Sequence, residues 1–387
     1  MADQKEALTA EMIDPAEIFR RTLAKFLGPI QAYLADPSVV EVMINGPDEI
    51  FIEKHGQLVK TDARFENEET LIAAIRNLLQ FVGKRLAPDY PMIDARLPDG
   101  SRVHVAMPPC SRIGPCMTIR KFAKEGFSVD YLVECGTLTT MALDYLRVAI
   151  ETEKNILFAG GTSSGKTSVL NTLATFIPPQ ERIIVIEESS ELQLRQPHVI
   201  QLETRGPDRY GKGAIDIREL FRNSLRMRPD RIIVGETRGG EALDLIQALT
   251  SGHGGSMSTM HADTPTDALN RLETMALMSD VAIPLNALRT QISSSIDIVV
   301  IMSRFHDASR RVVQITEVLP VDAEYRYQMK DIFTLKLPEG GRKIEEGVLA
   351  WTGARTALLD EVQARVLAQD LPSLAPFFAD TKSVSQP

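Results

Sequence analysis

The chain has 387 residues, 44% hydrophobic and 25% charged, with a net charge of −9. That length suits two or three domains, supports a core without disulfides and excludes wholesale disorder. A field of this sign opposes non-specific nucleic-acid binding, and no run reaches the roughly 18 apolar residues of a membrane span.

The first residues, Met1-Ala-Asp-Gln-Lys-Glu, are polar and do not form a secretory signal. The three cysteines, Cys110, Cys116 and Cys135, lack a C-x-x-C spacing, which fits a reduced, cytoplasmic setting and argues against zinc. Helical spacing of Ile18, Phe19, Leu23, Phe26 and Leu27 predicts a helix over residues 14–35, within an N-terminal segment 1–37, with a break at Gly28-Pro29. Strands are expected over 39–44 and 50–53, joined by an Asn45-Gly46-Pro47 turn. Asn67 is placed to cap a helix running to Leu86, with Glu68 and Glu69 in its first turn. Two more strands are expected at 102–107 and 117–121, so residues 38–121 read as one small α+β domain followed by a linker over 122–138.

From Thr139 the pattern becomes α/β. Apolar, β-branched runs at 156–159, 183–186, 232–234 and 298–301 suit buried parallel strands, with amphipathic helices at 169–177 and 241–249 among them. The α/β domain is expected over 139–335. Residues 336–387 form an extension with no assignable role, although 358–371 is amphipathic and the last eight residues have the composition of a frayed tail.

The strongest chemical signal is Gly160-Gly161-Thr162-Ser163-Ser164-Gly165-Lys166-Thr167, then Ser168, a complete G-x-x-x-x-G-K-[ST] phosphate loop between a strand and a helix. Such a loop curls backbone N–H groups around phosphate oxygens at a helix N-terminus. Lys166 is expected to reach the β- and γ-phosphates, and the Thr167 hydroxyl to ligate Mg²⁺. The sequence therefore points to a nucleoside triphosphate with Mg²⁺ as cofactors.

Two strands end in acids. Arg231–Val234 runs through Gly235 into Glu236, a candidate Walker B carboxylate facing the metal or its water; 183–186 runs into Glu187 and Glu188, with Glu191 beyond. Adjacent carboxylates repel, which suits a site near a cation or a tuned base, or else a solvated strand end. His253 and His261 flank a short strand and are candidates for contact with a γ-phosphate or a subunit boundary, or else are structural; the spacing fits no zinc template. On the helix at 217–227, Arg218, Arg222 and Arg226 recur every four residues, a like-charge spacing that asks for an anionic neighbour unless the face is solvated.

With these motifs assembled, the chain resembles the secretion-ATPase superfamily of type II secretion, type IV pili and conjugative type IV secretion, nearest to the tight-adherence (Tad) pilus assembly branch. The matching runs are 155–171 (NILFAGGTSSGKTSVLN), 181–194 (ERIIVIEESSELQL), 225–242 (LRMRPDRIIVGETRGGEA), 250–262 (TSGHGGSMSTMHA) and 267–278 (DALNRLETMALM). The resemblance implies a RecA-like P-loop ATPase core with a smaller α+β, PAS-like N-terminal domain. It implies a cytoplasmic homohexamer, peripheral at the inner membrane through a pilus platform protein, with no nucleic-acid partner.

It also implies roles. Glu187 would orient the attacking water, Glu236 would act through Mg²⁺, and His253 and His261 would sense the γ-phosphate. Arg102 and Arg120 of the N-terminal domain would approach the phosphates. Glu188 stands where the family usually has Asp, and the tetracysteine zinc module of type II secretion ATPases is missing from the sequence. Three other readings compete: a conjugation-type ATPase for DNA or effector transfer, a RecA-like nucleic-acid translocase, and a non-hydrolysing nucleotide-gated scaffold.

Overall fold

The computed structural model describes residues 26–379 apart from 55, 88, 123–126, 208–210, 251, 253, 338–345 and 369. The chain divides into two compact units, 1–125 and 126–387. The division falls inside the stretch 122–138 expected as a linker. Of that stretch, Val129–Glu134 is a helix, and Leu132 and Leu138 are buried in the core of the second unit.

In the first unit the only part of the expected 14–35 helix that can be compared is its end; residues 14–25 lie outside the described residues. Phe26 is helical and Leu27 is a bend, so the run is interrupted just before Gly28-Pro29, as expected. Gly28–Ile30 forms a 3-10 turn with proline near its start, a position where a missing N–H costs nothing, and it leads into helix α1, Gln31–Ala35. Six antiparallel strands follow: β1 Val39–Asn45, β2 Ile50–Lys54, β3 Gln57–Lys60, β4 Met92–Arg96, β5 Arg102–Ala106 and β6 Cys116–Arg120, in the order β3-β2-β1-β6-β5-β4. Helix α2, Glu68–Phe81, is capped by the Asn67 side chain and stops five residues short of Leu86, where Gly83 takes a left-handed conformation (φ 72°). Its Leu71, Ile75, Leu78 and Leu79 pack on Val42, Ile44, Val103, Val105 and Ile119 of the sheet. Strands β3 and β4 were not expected. All four residues of β3 are exposed, so it carries no alternation to read.

The second unit holds α3 Val129–Glu134, α4 Thr140–Glu151, β7 Ile156–Gly160, α5 Lys166–Leu173, β8 Ile183–Glu187, β9 Val199–Glu203 and α6 Ile217–Ser224. It continues with β10 Arg231–Val234, α7 Glu241–Leu249, β11 Met257–Met260, α8 Pro265–Leu277, α9 Leu285–Ser295, β12 Ile298–Arg304, β13 Arg310–Leu319, β14 Gln328–Lys336, β15 Val348–Trp351 and α10 Leu359–Leu367. Its nine-stranded sheet has the order β15-β14-β13-β12-β7-β11-β10-β8-β9. Strands β12 to β9 in that list are mutually parallel, and β13 to β15 add an antiparallel flank. Every residue of β7, β8 and β10 is buried, as expected for parallel strands covered on both faces. One face buries Leu146, Phe158 and Leu170 with α4 and α5; the other buries Ile246, Leu272 and Ile292 with α7, α8 and α9. This is a RecA-like core.

Polar stitches fix the starting ends of the parallel strands. Asn155 donates through Nδ2 to Ser295 O (2.8 Å), and its Oδ1 accepts from Ser256 N–H (3.0 Å). Arg231, only 1% exposed, pairs with Glu181 and donates to Ile150 O (3.0 Å) and Gly255 O (3.2 Å). Gly255 adopts φ 72°, and a Cβ there would collide with that guanidinium. Truncating one side of a buried pair leaves the other charge without its partner. Arg231→Ala is therefore expected to cost about 3–5 kcal/mol in urea unfolding, and a loss below about 1 kcal/mol would remove this buried pair from the account.

The described part of the 336–387 stretch is built into this unit. Leu358, Val362, Leu371, Leu374 and Phe377 join its core, and Phe377 stacks on Tyr145 (5°, centroids 6.0 Å). Buried Glu317 accepts from the Tyr145 hydroxyl (2.8 Å), Ala357 N–H (3.0 Å) and the Thr356 hydroxyl, joining β13 to the segment before α10. Burial, then the Glu317 charge, pushes the Tyr145 pKa well above its ordinary value, so Tyr145 remains a donor. The expected tail at 380–387 lies outside the described residues.

Candidate nucleotide-binding site

Strand β7 ends at Gly160, and its parallel neighbours β11 and β12 carry the chain onward to the same edge of the sheet. Strand β8, next in sequence, lies beyond β11 and β10. The 161–165 loop therefore leaves at a topological switch point, where open α/β sheets form their binding crevices. Helix α5 begins at Lys166 itself, earlier than Val169, and Gly165 caps it in a left-handed conformation (φ 94°) with no side-chain cap. A Cβ at Gly160 would strike the Met302 carbonyl, so β7 and β12 approach more closely than any other residue would permit.

The Lys166 ammonium is buried against the loop, donating to Gly160 O (3.0 Å) and Gly161 O (2.9 Å). Burial lowers its pKa, opposed by the charge of Glu236. Thr167 and Ser168 are half-buried in the first turn of α5, while Gly161, Thr162 and Ser163 are exposed. Ser164 is buried, and its hydroxyl has no partner among the described residues.

Glu236 follows β10 at the same edge. Its Oε2 accepts from Arg238 (2.7 Å), and His261 Nε2 lies 3.0 Å from its Oε1 without hydrogen-bond alignment. Burial alone would raise the Glu236 pKa; the Arg238 hydrogen bond and the charges of Arg238, His261 and Lys166 outweigh it, and the carboxyl is held below its usual range. Burial and the Lys166 charge lower the His261 pKa against the pull of Glu236. Arg238 also binds Glu188 (2.7 Å), so the longer side chain at this position reaches a guanidinium.

Glu187 ends β8, 4% exposed. Its Oε1 accepts from Glu191 N–H (2.9 Å) and Leu192 N–H (3.1 Å), and its Cγ fills the space beside Gly235 that a Cβ would occupy. The structure thus gathers Lys166, Glu236 and His261 with Arg238, and fixes Glu187 at the neighbouring strand end. His253 lies outside the described residues. The glycines after it, Gly254 and Gly255, pack on Glu153 and Arg231 at the start of β11, whereas His261 follows its end.

Arg102 and Arg120 belong to the other unit, where β5 and β6 set them directly opposite each other, with Glu41 opposite Arg120 on β1. Directly opposed like charges destabilise a sheet pair unless an anion offsets them. The arginine row on α6 has a local explanation: Arg218 (2.6 Å) and Arg222 (2.8 Å) both bind Asp244 of α7.

Sequence reasoning missed Arg238 and Arg310. Arg238 stands two residues beyond the Walker B acid, and that offset is the only signal it leaves. Arg310, at the start of β13, donates from Nε to Ser163 O (3.0 Å), and no local sequence pattern links positions 147 residues apart.

The donor set fits a nucleotide with Mg²⁺. It offers an ammonium, a helix N-terminus, a hydroxyl at its first turn, a buried hydroxyl without a partner, and an ionised carboxylate. A cleft of about 810 Å³ opens beside the loop, lined by Gly161, Thr162, Ser164 and Asp263 and by Met302 and Arg304. Among the described residues no cluster of three or more His, Cys, Asp or Glu side chains could hold a metal alone.

Fold and loop together define a P-loop protein with a RecA-like core. Residues 24–341 match the model of the Type II/IV secretion system protein family, and the chain belongs to that family. It is 33% identical over 316 residues to the type IV secretion system protein PtlH of Bordetella pertussis, covering 75% of this chain and 93% of PtlH. It is also 33% identical over 245 residues to the probable conjugal transfer protein TrbB of Sinorhizobium fredii, covering 62% and 72% of the two chains. The crystal structure of the pilus retraction motor PilT with bound ADP matches with a TM-score of 0.56 at 19% identity, over 78% of this chain and 84% of that one, a likeness of fold. Among the described residues no helix is long and apolar enough to cross a membrane.

Proposed function

We propose that this chain is a Mg²⁺-dependent ATPase, working as a cytoplasmic homohexamer on an inner-membrane platform protein, whose hydrolysis drives assembly of a Tad-type pilus. The observation that carries the enzymatic part is the convergence of Lys166, Glu236, His261 and Arg238 beside a complete phosphate loop at a switch point.

Bound ATP with Mg²⁺ supplies a transferable γ-phosphoryl group and a divalent charge that spreads the negative charge developing during transfer. The chain's own groups do the rest. The α5 N-terminus and Lys166 hold the phosphates, and Thr167 offers its hydroxyl to the metal. With one oxygen of Glu236 bonded to Arg238 and the other beside His261, this carboxylate acts on the metal through water. Glu187, its carboxylate held by two backbone donors, orients the attacking water. His253 and His261 respond to the γ-phosphate, and Arg102 and Arg120 add positive charge to the phosphates.

A second reading, an ATPase of conjugal transfer or type IV secretion, is favoured by the similarity to PtlH and TrbB. The two readings differ in partner. ATP hydrolysis measured with and without the cytoplasmic domain of a pilus platform protein separates them: at least about a threefold stimulation is expected, and an unchanged rate with demonstrable ATPase activity would favour the second reading.

A further inference from the structure

Ser163 is a non-glycine residue at φ 60° in the middle of the phosphate loop. That left-handed conformation costs free energy which the surroundings must offset, and strain of this kind collects at ligand-binding turns. The surroundings here include one charged donor. Arg310 Nε donates to the Ser163 carbonyl (3.0 Å), and its Cδ would lie 3.3 Å from a Cβ at Gly165, so the arginine lies along the loop. Arg310 is itself held from behind. Its carbonyl accepts from the buried Thr137 hydroxyl (2.8 Å), and Val312 N–H donates to Thr137 O (3.0 Å). Among the described residues the Arg310 guanidinium makes no ion pair, and its one side-chain hydrogen bond goes to the Ser163 carbonyl.

The carbonyl of residue 163 and the N–H of residue 164 belong to one planar trans peptide and point to opposite sides of it. A donor that holds the carbonyl outward therefore holds the N–H inward. Ser164 N–H is turned into the loop, 3.4 Å from Gly161 O, a long bond that a better acceptor could replace. The cationic donor also polarises the peptide and strengthens its N–H as a donor to an anion.

We propose that Arg310 is a positioning residue of the phosphate loop, which keeps the strained 163–164 peptide oriented so that its N–H serves a nucleoside di- or triphosphate. This rests on the P-loop reading above. It assigns a function to the antiparallel flank of the sheet, since the β12–β13 hairpin carries the arginine.

The test is titration of Mg·ADP into the intact chain by calorimetry, with steady-state ATP hydrolysis alongside. Arg310→Ala should weaken Mg·ADP binding about tenfold and raise KM similarly, while kcat stays within about threefold, because both nucleotides use the same peptide. Arg310 is exposed, so the variant should fold, and Arg310→Lys, which can still donate to the carbonyl, should recover part of the affinity. Adding Ser163→Gly to Arg310→Ala should recover most of it, since glycine adopts this φ without strain. A merely structural arginine would give no such rescue.

Mg·ADP affinity within about twofold of the parent in Arg310→Ala overturns the proposal, as does a double variant no better than the single one. Lys166→Ala is the control. If it loses nucleotide while Arg310→Ala does not, only the role of Arg310 fails. If Lys166→Ala binds Mg·ADP like the parent chain, the P-loop reading fails and the proposal with it.

Discussion

Replacing Lys166 by alanine is expected to lower ATP turnover at least about a hundredfold while the fold persists. The ammonium is the only side-chain cation in the loop, and its two hydrogen bonds go to the carbonyls of Gly160 and Gly161. Alanine would forfeit those bonds but would remove a charge whose burial is unfavourable, as its lowered pKa reflects. The two terms oppose each other, so stability should change by no more than about 1 kcal/mol. Phosphate release and a urea titration on the same preparation check both halves. Near-parental turnover in a folded Lys166→Ala chain would sink the assignment of this loop.

Glu187→Gln is expected to bind ATP and leave it unhydrolysed, with turnover down at least about a hundredfold. The structure makes this substitution informative. Oε1 of Glu187 accepts from two backbone N–H groups in the turn after β8, and the amide oxygen of glutamine can keep both contacts. The change therefore removes charge and basicity with little disturbance to the 188–192 turn. Retained nucleotide in a gel-filtered complex would show binding without hydrolysis. If Glu187→Gln hydrolyses ATP normally while Glu188→Gln or Glu191→Gln does not, the base lies elsewhere in the acidic segment. The position of Glu188 sharpens the comparison, because it is committed to Arg238 rather than to backbone.

Strands β7, β8, β10 and β12 were legible because burial on both faces leaves continuous apolar runs such as Ile183–Ile186, and the phosphate loop because it is a contiguous pattern; the half-exposed parallel edge strand β9 was not expected. The antiparallel flank was harder to read. Strand β13 alternates only in its middle, and a register shift between Ile315 and Thr316 breaks the repeat. Strand β3 is exposed throughout and leaves no trace in hydropathy.

Arg231 and Glu317 were unreadable for another reason. A buried charge in sequence looks like a surface charge, and only the fold supplies Glu181 to the first and Tyr145 with Thr356 to the second. The same holds at the site. Lys166 and Glu236 stand in motifs, whereas Arg310 reaches Ser163 only because β12 lies beside β7 and turns back into β13. The 358–371 stretch showed its apolar face in sequence, but its partner, α4 with Tyr145, lies more than two hundred residues away.

The central claim, that this P-loop hydrolyses ATP with a divalent metal, is tested most directly by phosphate release from the purified 387-residue chain, with and without Mg²⁺. Hydrolysis that requires Mg²⁺, disappears on chelation and is absent from Lys166→Ala is the predicted result. A chain that binds no Mg·ATP, or whose phosphate release is the same with and without the metal and in Lys166→Ala, would contradict it.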